Sequence, residues 1–174
     1  MSQSNTFHRF LDDAILKRRL TGKQFADLTS YSAGQVSKMR SGKRKTDKFM
    51  RVTVSRILKD VRLSMVSASA DYHIPTFMFD ATSRKDVFTT SNDQRREERE
   101  RQGLEESYNE AVRIPKEKRT DEQRQAISKY LRNYMEEYTS EETDWLAKAE
   151  YAGLDDDQIF QMYDGFLKDY GVKE

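Results

Sequence analysis

Apolar positions recur every three or four residues along most of the chain, and that period predicts helices rather than strands. Phe7, Phe10, Leu11, Ala14 and Ile15 form the first stripe. A second helix is expected from Thr21, where Thr21 and Gln24 match a capping box and Phe25 and Leu28 are placed to face inward. A third is expected from Ser32, with Gln35 completing the same signature and Val36 and Met39 as the inward pair. It stops at Ser41-Gly42, a common terminator. Met50, Val54, Ile57, Leu58 and Val61 mark a fourth helix, and residues 63–71 a short fifth.

The pattern changes at residues 72–92. Pro75 appears, Thr and Ser cluster, and Phe77, Phe79 and Phe88 stand in short extended-looking runs. This reads as a linker, or as an arm with a small hairpin. From Asp93 the residues are again strong helix formers, with acid–base pairs at helical spacing, as far as Pro115. Further helices are expected from Thr120, Thr139 and Asp155, each followed three residues later by Gln or Glu. The first of these carries Ile127, Leu131, Tyr134, Met135 and Tyr138 on one face. The second carries Trp145, Leu146 and Ala149. The third carries Ile159, Phe160, Tyr163, Phe166, Leu167 and Tyr170. The expected fold class is all-α: a five-helix head over 1–71, a linker or arm over 72–92, and an acidic helical region over 93–174.

Composition sharpens this picture at one point. The net charge of +1 conceals two opposite halves. Residues 1–70 hold fifteen Lys and Arg against five Asp, a net +10, while the remainder holds 16 basic and 25 acidic residues, a net −9. Such a split predicts two regions with different partners, the first of them anionic. The 19 aromatic residues are too many for a disordered chain. The absence of cysteine excludes disulfides, thiolate zinc sites and Cys nucleophiles. No apolar run reaches the ~18 residues of a membrane span. The first ten residues lack the apolar core of a signal peptide, so a cytoplasmic location is expected.

The basic stretch Ser30–Lys45 carries the functional signal. A helix that enters the DNA major groove needs a partner helix across the phosphates, a tight turn, and a small residue where the two helices cross. Ala26 supplies the small residue and Thr29-Ser30-Tyr31 the turn. With Val36 and Met39 inward, Ala33, Gly34, Ser37, Lys38 and Ser41 lie on the outer face or its edges. Their small side chains allow close approach to base edges. Lys38, with Ser37 and Gln35, offers the polar readers, and Lys38 to guanine is the expected contact. Arg40, Lys43, Arg44 and Lys45 cluster at the helix end, suited to phosphate. If about five phosphates are neutralised per domain, log K falls against log salt with a slope of about −4 to −5.

Leu20-Thr21, Phe25-Ala26, Leu28, Ser32, Val36, Met39 and Gly42 with its basic tail, followed by Val54 and Leu58, together resemble the helix-turn-helix of the lambda-repressor-like (XRE/Cro) family. The resemblance covers about residues 6–70. It implies a five-helix domain that binds operator DNA, usually as a dimer. By position it implies base contacts from Ala33, Gly34, Ser37 and Lys38. Phosphate contacts would come from Lys23, Gln24, Ser41, Lys43 and Arg44. Thr29, Ser30 and Thr46 depart from the apolar residue, glycine and proline common at those places. Size and head type resemble phage or mobile-element regulators.

Plainer readings stand beside these. A basic helix in an unrelated bundle also fits Ser30–Lys45, but less well than the combined offsets of the two caps, Ala26, Val36 and Gly42. Asp155, Asp156 and Asp157 read as a helix cap rather than a metal site. His8 and His73 are the only histidines, with no spacing for a metal pair. No cofactor is expected. Tyr130, Tyr134 and Tyr138 read as core or dimer packing, because the segment around them is acidic and would repel nucleic acid. Tyr134, Tyr138, Trp145, Phe160, Tyr163 and Phe166 are the expected interface with a second copy or a foreign protein. The leading expectation is a sequence-specific transcriptional regulator that binds operator DNA as a dimer, in the sense of a repressor. The alternative is a bifunctional phage-type inhibitor, anti-CRISPR-like by analogy, with an autoregulatory head and a protein-binding tail. An enzyme is not expected, since the tail lacks strand patterning and clustered His or Cys.

Overall fold

The computed structural model describes residues 4–76 and 86–171, with side chains from Phe7 onward. Among these residues every regular element is helical: α1 Ser4–Lys17, α2 Gly22–Thr29, α3 Ala33–Arg40, α4 Lys48–Leu58, α5 Val61–Tyr72, α6 Val87–Gln102, α7 Glu105–Val112, α8 Asp121–Tyr151 and α9 Asp156–Tyr170, with a 3₁₀ turn at Lys116–Lys118. The expected all-α class holds. Among the described residues no helix is long and apolar enough to cross a membrane.

The chain divides into two compact units, one of residues 1–76 with 154–174 and one of residues 77–153. This grouping differs from the sequence-based division, which kept all of 93–174 together. The arm read over 72–92 is also replaced at its end. Asp86 accepts from the N–H groups of Phe88 and Thr89 at 3.1 Å, and that cap starts α6 at Val87. Phe77 and Phe79 lie outside the described residues.

In the first unit α1 packs on α3, α4 and α5, and α2 on α3 and α4. The stripe Phe7, Phe10, Leu11, Ala14 and Ile15 is buried as its spacing predicts, together with Phe25, Val36, Met39, Met50, Val54, Leu58 and Val61. Complete burial of Phe25 contributes about 1.5–3 kcal/mol relative to exposure. Two inward assignments are corrected. Leu28 is 55% exposed and Thr29 takes the buried place. The Thr29 hydroxyl satisfies itself by donating to Phe25 O at 2.8 Å, so its methyl can enter the core. Ile57 is exposed, because the adjacent Leu58 fills the inward position.

The start of α9 belongs to this unit. Asp60 caps α5 by accepting from Leu63 N–H at 2.8 Å, while Asp156 accepts from Val61 N–H at 3.3 Å. Lys17 Nζ lies 2.6 Å from Asp156 and 3.7 Å from Asp60. Both carboxylates are buried. Burial pushes Asp60 above the ordinary carboxylate range, and Asp156 beside it pushes the same way. Leu63 N–H, Lys17 and Arg62 only partly offset this.

The second unit is a helical hairpin in which α6 and α7 lie against α8. Contacts from Thr90 and Ser91 to Asp144, and from Arg101 to Glu137, run in opposite chain directions, so α6 and α8 are antiparallel. Two boundaries change. Gly103 interrupts the helix expected to run to Pro115, giving α6 and α7. The helix expected to begin at Thr139 does not begin there. No glycine or proline stands between Thr120 and Tyr151, and α8 continues for 31 residues. Thr139 donates its hydroxyl to Met135 O at 2.9 Å instead of capping. The capping boxes at Thr21, Ser32, Thr120 and Asp155 all form.

Candidate nucleic-acid interface

α2 and α3 are two eight-residue helices joined by a short turn. Ser30 makes that turn with φ 59 and ψ 18. This left-handed conformation favours glycine and costs a serine about 1–2 kcal/mol. Ser32 then restarts the helix, its Oγ accepting from Gln35 N at 3.2 Å and its N–H donating to Gln35 Oε1 at 2.9 Å.

One side of α3 is anchored. Val36 and Met39 are each 1% exposed, and Arg40 Nε donates to Asp12 Oδ1 of α1 at 2.5 Å. The opposite side carries Ala33, Gly34, Ser37 and Lys38, all exposed. Beyond Gly34 the space is open: a Cβ added there would meet only Ser32 Oγ, at 4.0 Å. At the helix end Gly42 takes φ +68 and the chain folds back, with Arg44 N–H donating to Lys38 O at 3.0 Å. This reversal leaves Lys43, Arg44 and Lys45 exposed beyond the last turn of α3. Thr46 O accepts from Arg51, which also pairs with Asp71.

Nine cations of the first unit separate into two groups. Arg18 donates to Leu58 O and Lys59 O at 2.8 Å, Arg40 pairs with Asp12, Arg51 with Asp71, and Lys17 with Asp156. These are structural. Lys23, Lys38, Lys43, Arg44 and Lys45 are exposed and have no acidic partner among the described residues. The first group could not be told from the second by sequence, because the carbonyl or carboxylate that holds each cation lies 20 or more residues away. Arg40, expected at phosphate, is thus held by Asp12. Gln24 and Gln35 remain at the surface side of their helices, but each amide oxygen is engaged in its capping box. Ser41 is exposed and its hydroxyl donates to Lys38 O at 3.3 Å. Sequence reasoning passed over Phe49, which is 79% exposed on the polar side of α4 just after the basic loop.

The six expected interface aromatics divide between the two units. Tyr134, Tyr138 and Trp145 belong to α8 in the second unit, and Phe160, Tyr163 and Phe166 to α9 in the first. Tyr134, Tyr138 and Phe166 are exposed, the other three half-buried. Phe160 lines a groove with Arg56, Lys59, Asp157 and Asp164. Tyr130 is core: it is buried and stacks on Tyr108 with ring centres 4.1 Å apart. Among the described residues no group of three His, Cys, Asp or Glu could hold a metal ion.

Comparisons with protein-family models, with curated proteins and with solved structures yield no match in any of the three.

Proposed function

We propose that this chain is a transcriptional regulator that binds double-stranded DNA through α3, with the α2–turn–α3 pair acting as a helix-turn-helix of the lambda-repressor-like type. One observation carries the proposal. α3 is held by Val36, Met39 and Arg40 on one side and presents Ala33, Gly34, Ser37 and Lys38 on the other, with uncommitted cations just beyond it. Small side chains let a helix backbone approach base edges, and Lys38 supplies a donor that matches guanine. Lys23, Lys43, Arg44 and Lys45 supply phosphate contacts that fix register without reading sequence. No catalytic step is part of the proposal. The regulator acts as a repressor when its site overlaps a promoter, as in phage and mobile-element control.

Selection of duplexes from a random pool by the full chain tests this. A recurring motif at about 150 mM salt is the expected result. Retention of duplexes without sequence preference at that salt would sink the groove-reading assignment. A second reading, in which the acidic part captures a foreign protein, draws on the exposed Leu131, Tyr134, Met135 and Tyr138 of α8. The symmetry of that face favours a different occupant.

A further inference from the structure

The second unit buries several polar groups beside Leu146, Ala147 and Ala149 and leaves an apolar stripe outside. Thr90, Glu97, Glu137, Ser140, Thr143 and Asp144 are buried. Leu131, Tyr134, Met135 and Tyr138 are 51%, 55%, 53% and 50% exposed. At 3.6 residues per turn these four occupy an arc of about 100°, on the side of α8 away from Glu137, Ser140 and Asp144. The same stripe extends to Ile127, which is half-buried. Exposed apolar stripes of this kind mark contact with another chain.

Two features say which chain. The first is spacing. Arg124, Ile127, Leu131, Tyr134, Tyr138 and Glu141 alternate steps of three and four, the a/d spacing of a two-helix seam. The second is charge. Residues 124–132 of α8 carry Arg124, Lys129 and Arg132 and no acid. Residues 133–144 carry Glu136, Glu137, Glu141, Glu142 and Asp144 and no base. Asp121 and Glu122 precede this stretch, but along the seam itself, residues 124–144, one end is basic and the other acidic, and such a stretch repels a parallel copy in register and attracts an antiparallel one. A basic foreign surface would instead want a uniformly acidic face.

We infer that α8 pairs antiparallel with α8 of a second copy, through a seam of Ile127, Leu131, Tyr134 and Tyr138. A two-fold axis between residues 132 and 133 sets Leu131 against Tyr134 and Ile127 against Tyr138 of the other copy. It also sets Arg124 against Glu141 at both ends. Each contact then occurs twice, as an isologous interface requires. Among the described residues Arg124 pairs with exposed Asp121 at 2.9 Å, a contact easily exchanged. The pairing stands on α8 alone and does not rest on the DNA-binding reading.

The test is the mass of the full chain in solution without DNA, at roughly 100 µM chain because a homodimer is concentration-dependent. Twice the chain mass of 20.5 kDa is expected. Leu131→Glu should return the mass to that of one chain with helical circular dichroism unchanged, since Leu131 is exposed. Arg124→Glu and Glu141→Arg should each weaken pairing about ten-fold, by placing like charges together at both ends. The double variant should restore it. A wild type at single-chain mass, a Leu131→Glu chain as dimeric as wild type, or no rescue by the double swap would each overturn the proposal. None of these outcomes touches the DNA selection, which a monomer can still pass and a dimer still fail.

Discussion

The imidazole of His8, on α1, lies so close to Gly42 that a methyl at Gly42 would stand 2.9 Å from Nδ1. Gly42 also holds φ +68, a conformation that side chains resist. Gly42→Ala should therefore destabilise the first unit by about 2 kcal/mol. Chemical denaturation measures it. In a His8→Ala background the penalty should shrink to the backbone part alone. An undiminished penalty would mean that the contact with His8 is not what excludes a side chain.

Arg40 and Lys43 are close in sequence, but Arg40 is held by Asp12 whereas Lys43 is exposed with no acidic partner among the described residues. Arg40→Ala breaks a half-exposed ion pair with Asp12 and should cost up to about 1 kcal/mol of stability. It should leave the salt dependence of DNA binding unchanged. Lys43→Ala should do the reverse, leaving stability alone and reducing the slope of log K against log salt by about 1. Anisotropy titrations of a labelled duplex over a salt series separate the two.

Gly34 provides a cleaner separation of folding from binding. A side chain there meets open space, and replacing glycine within a helix gains about 0.5–1 kcal/mol. Gly34→Leu should melt no lower than wild type. It should nevertheless lose at least about ten-fold in DNA affinity, because the added bulk holds α3 away from the bases. Unimpaired binding would remove α3 from the groove.

Two buried aspartates should give pH dependences of opposite sign. Asp60 is pushed up by burial and by Asp156, so the folded chain holds this proton more tightly than the unfolded one. Its contribution to stability falls as pH rises from the ordinary carboxylate value through the folded value. Asp60→Asn should match wild type in acid and gain on it toward neutrality. Burial alone would raise Asp144 too, but Lys148 at 2.6 Å and the Ser91 and Thr90 hydroxyls outweigh burial and hold it below the ordinary range. Its contribution is present above the unfolded value and lost as pH falls through the folded one. Asp144→Asn should therefore match wild type in acid and fall behind toward neutrality. Denaturation midpoints between about pH 3 and pH 7 would show both trends.

The pattern of apolar positions located most helices, because burial in the first unit follows period and caps. Val36 and Met39 are buried beside the exposed Ala33, Gly34 and Ser37 for that reason alone. In the second unit the same rule finds an apolar stripe that the hairpin itself does not cover. Leu131, Tyr134, Met135 and Tyr138 form a proper apolar stripe, yet the hairpin buries the other side of α8, where Glu137 finds Arg101 and Asp144 finds Lys148. Periodicity shows that a face is apolar, not which neighbour covers it. Within the candidate interface the sequence located α3 but could not separate Arg40 from Lys43. The acid that commits Arg40 lies 28 residues upstream.

The bond from Val61 N–H to Asp156 spans 95 residues. The first unit is therefore discontinuous along the chain, with the whole second unit inserted between its parts. Closing so long a loop costs about 4 kcal/mol of chain entropy beyond a constant. On a translating ribosome α5 must wait, its first turn without this carboxylate and Lys17 without its nearest acid, until α9 has emerged. A pause or truncation in the intervening stretch would leave the basic helices made but this corner unsealed.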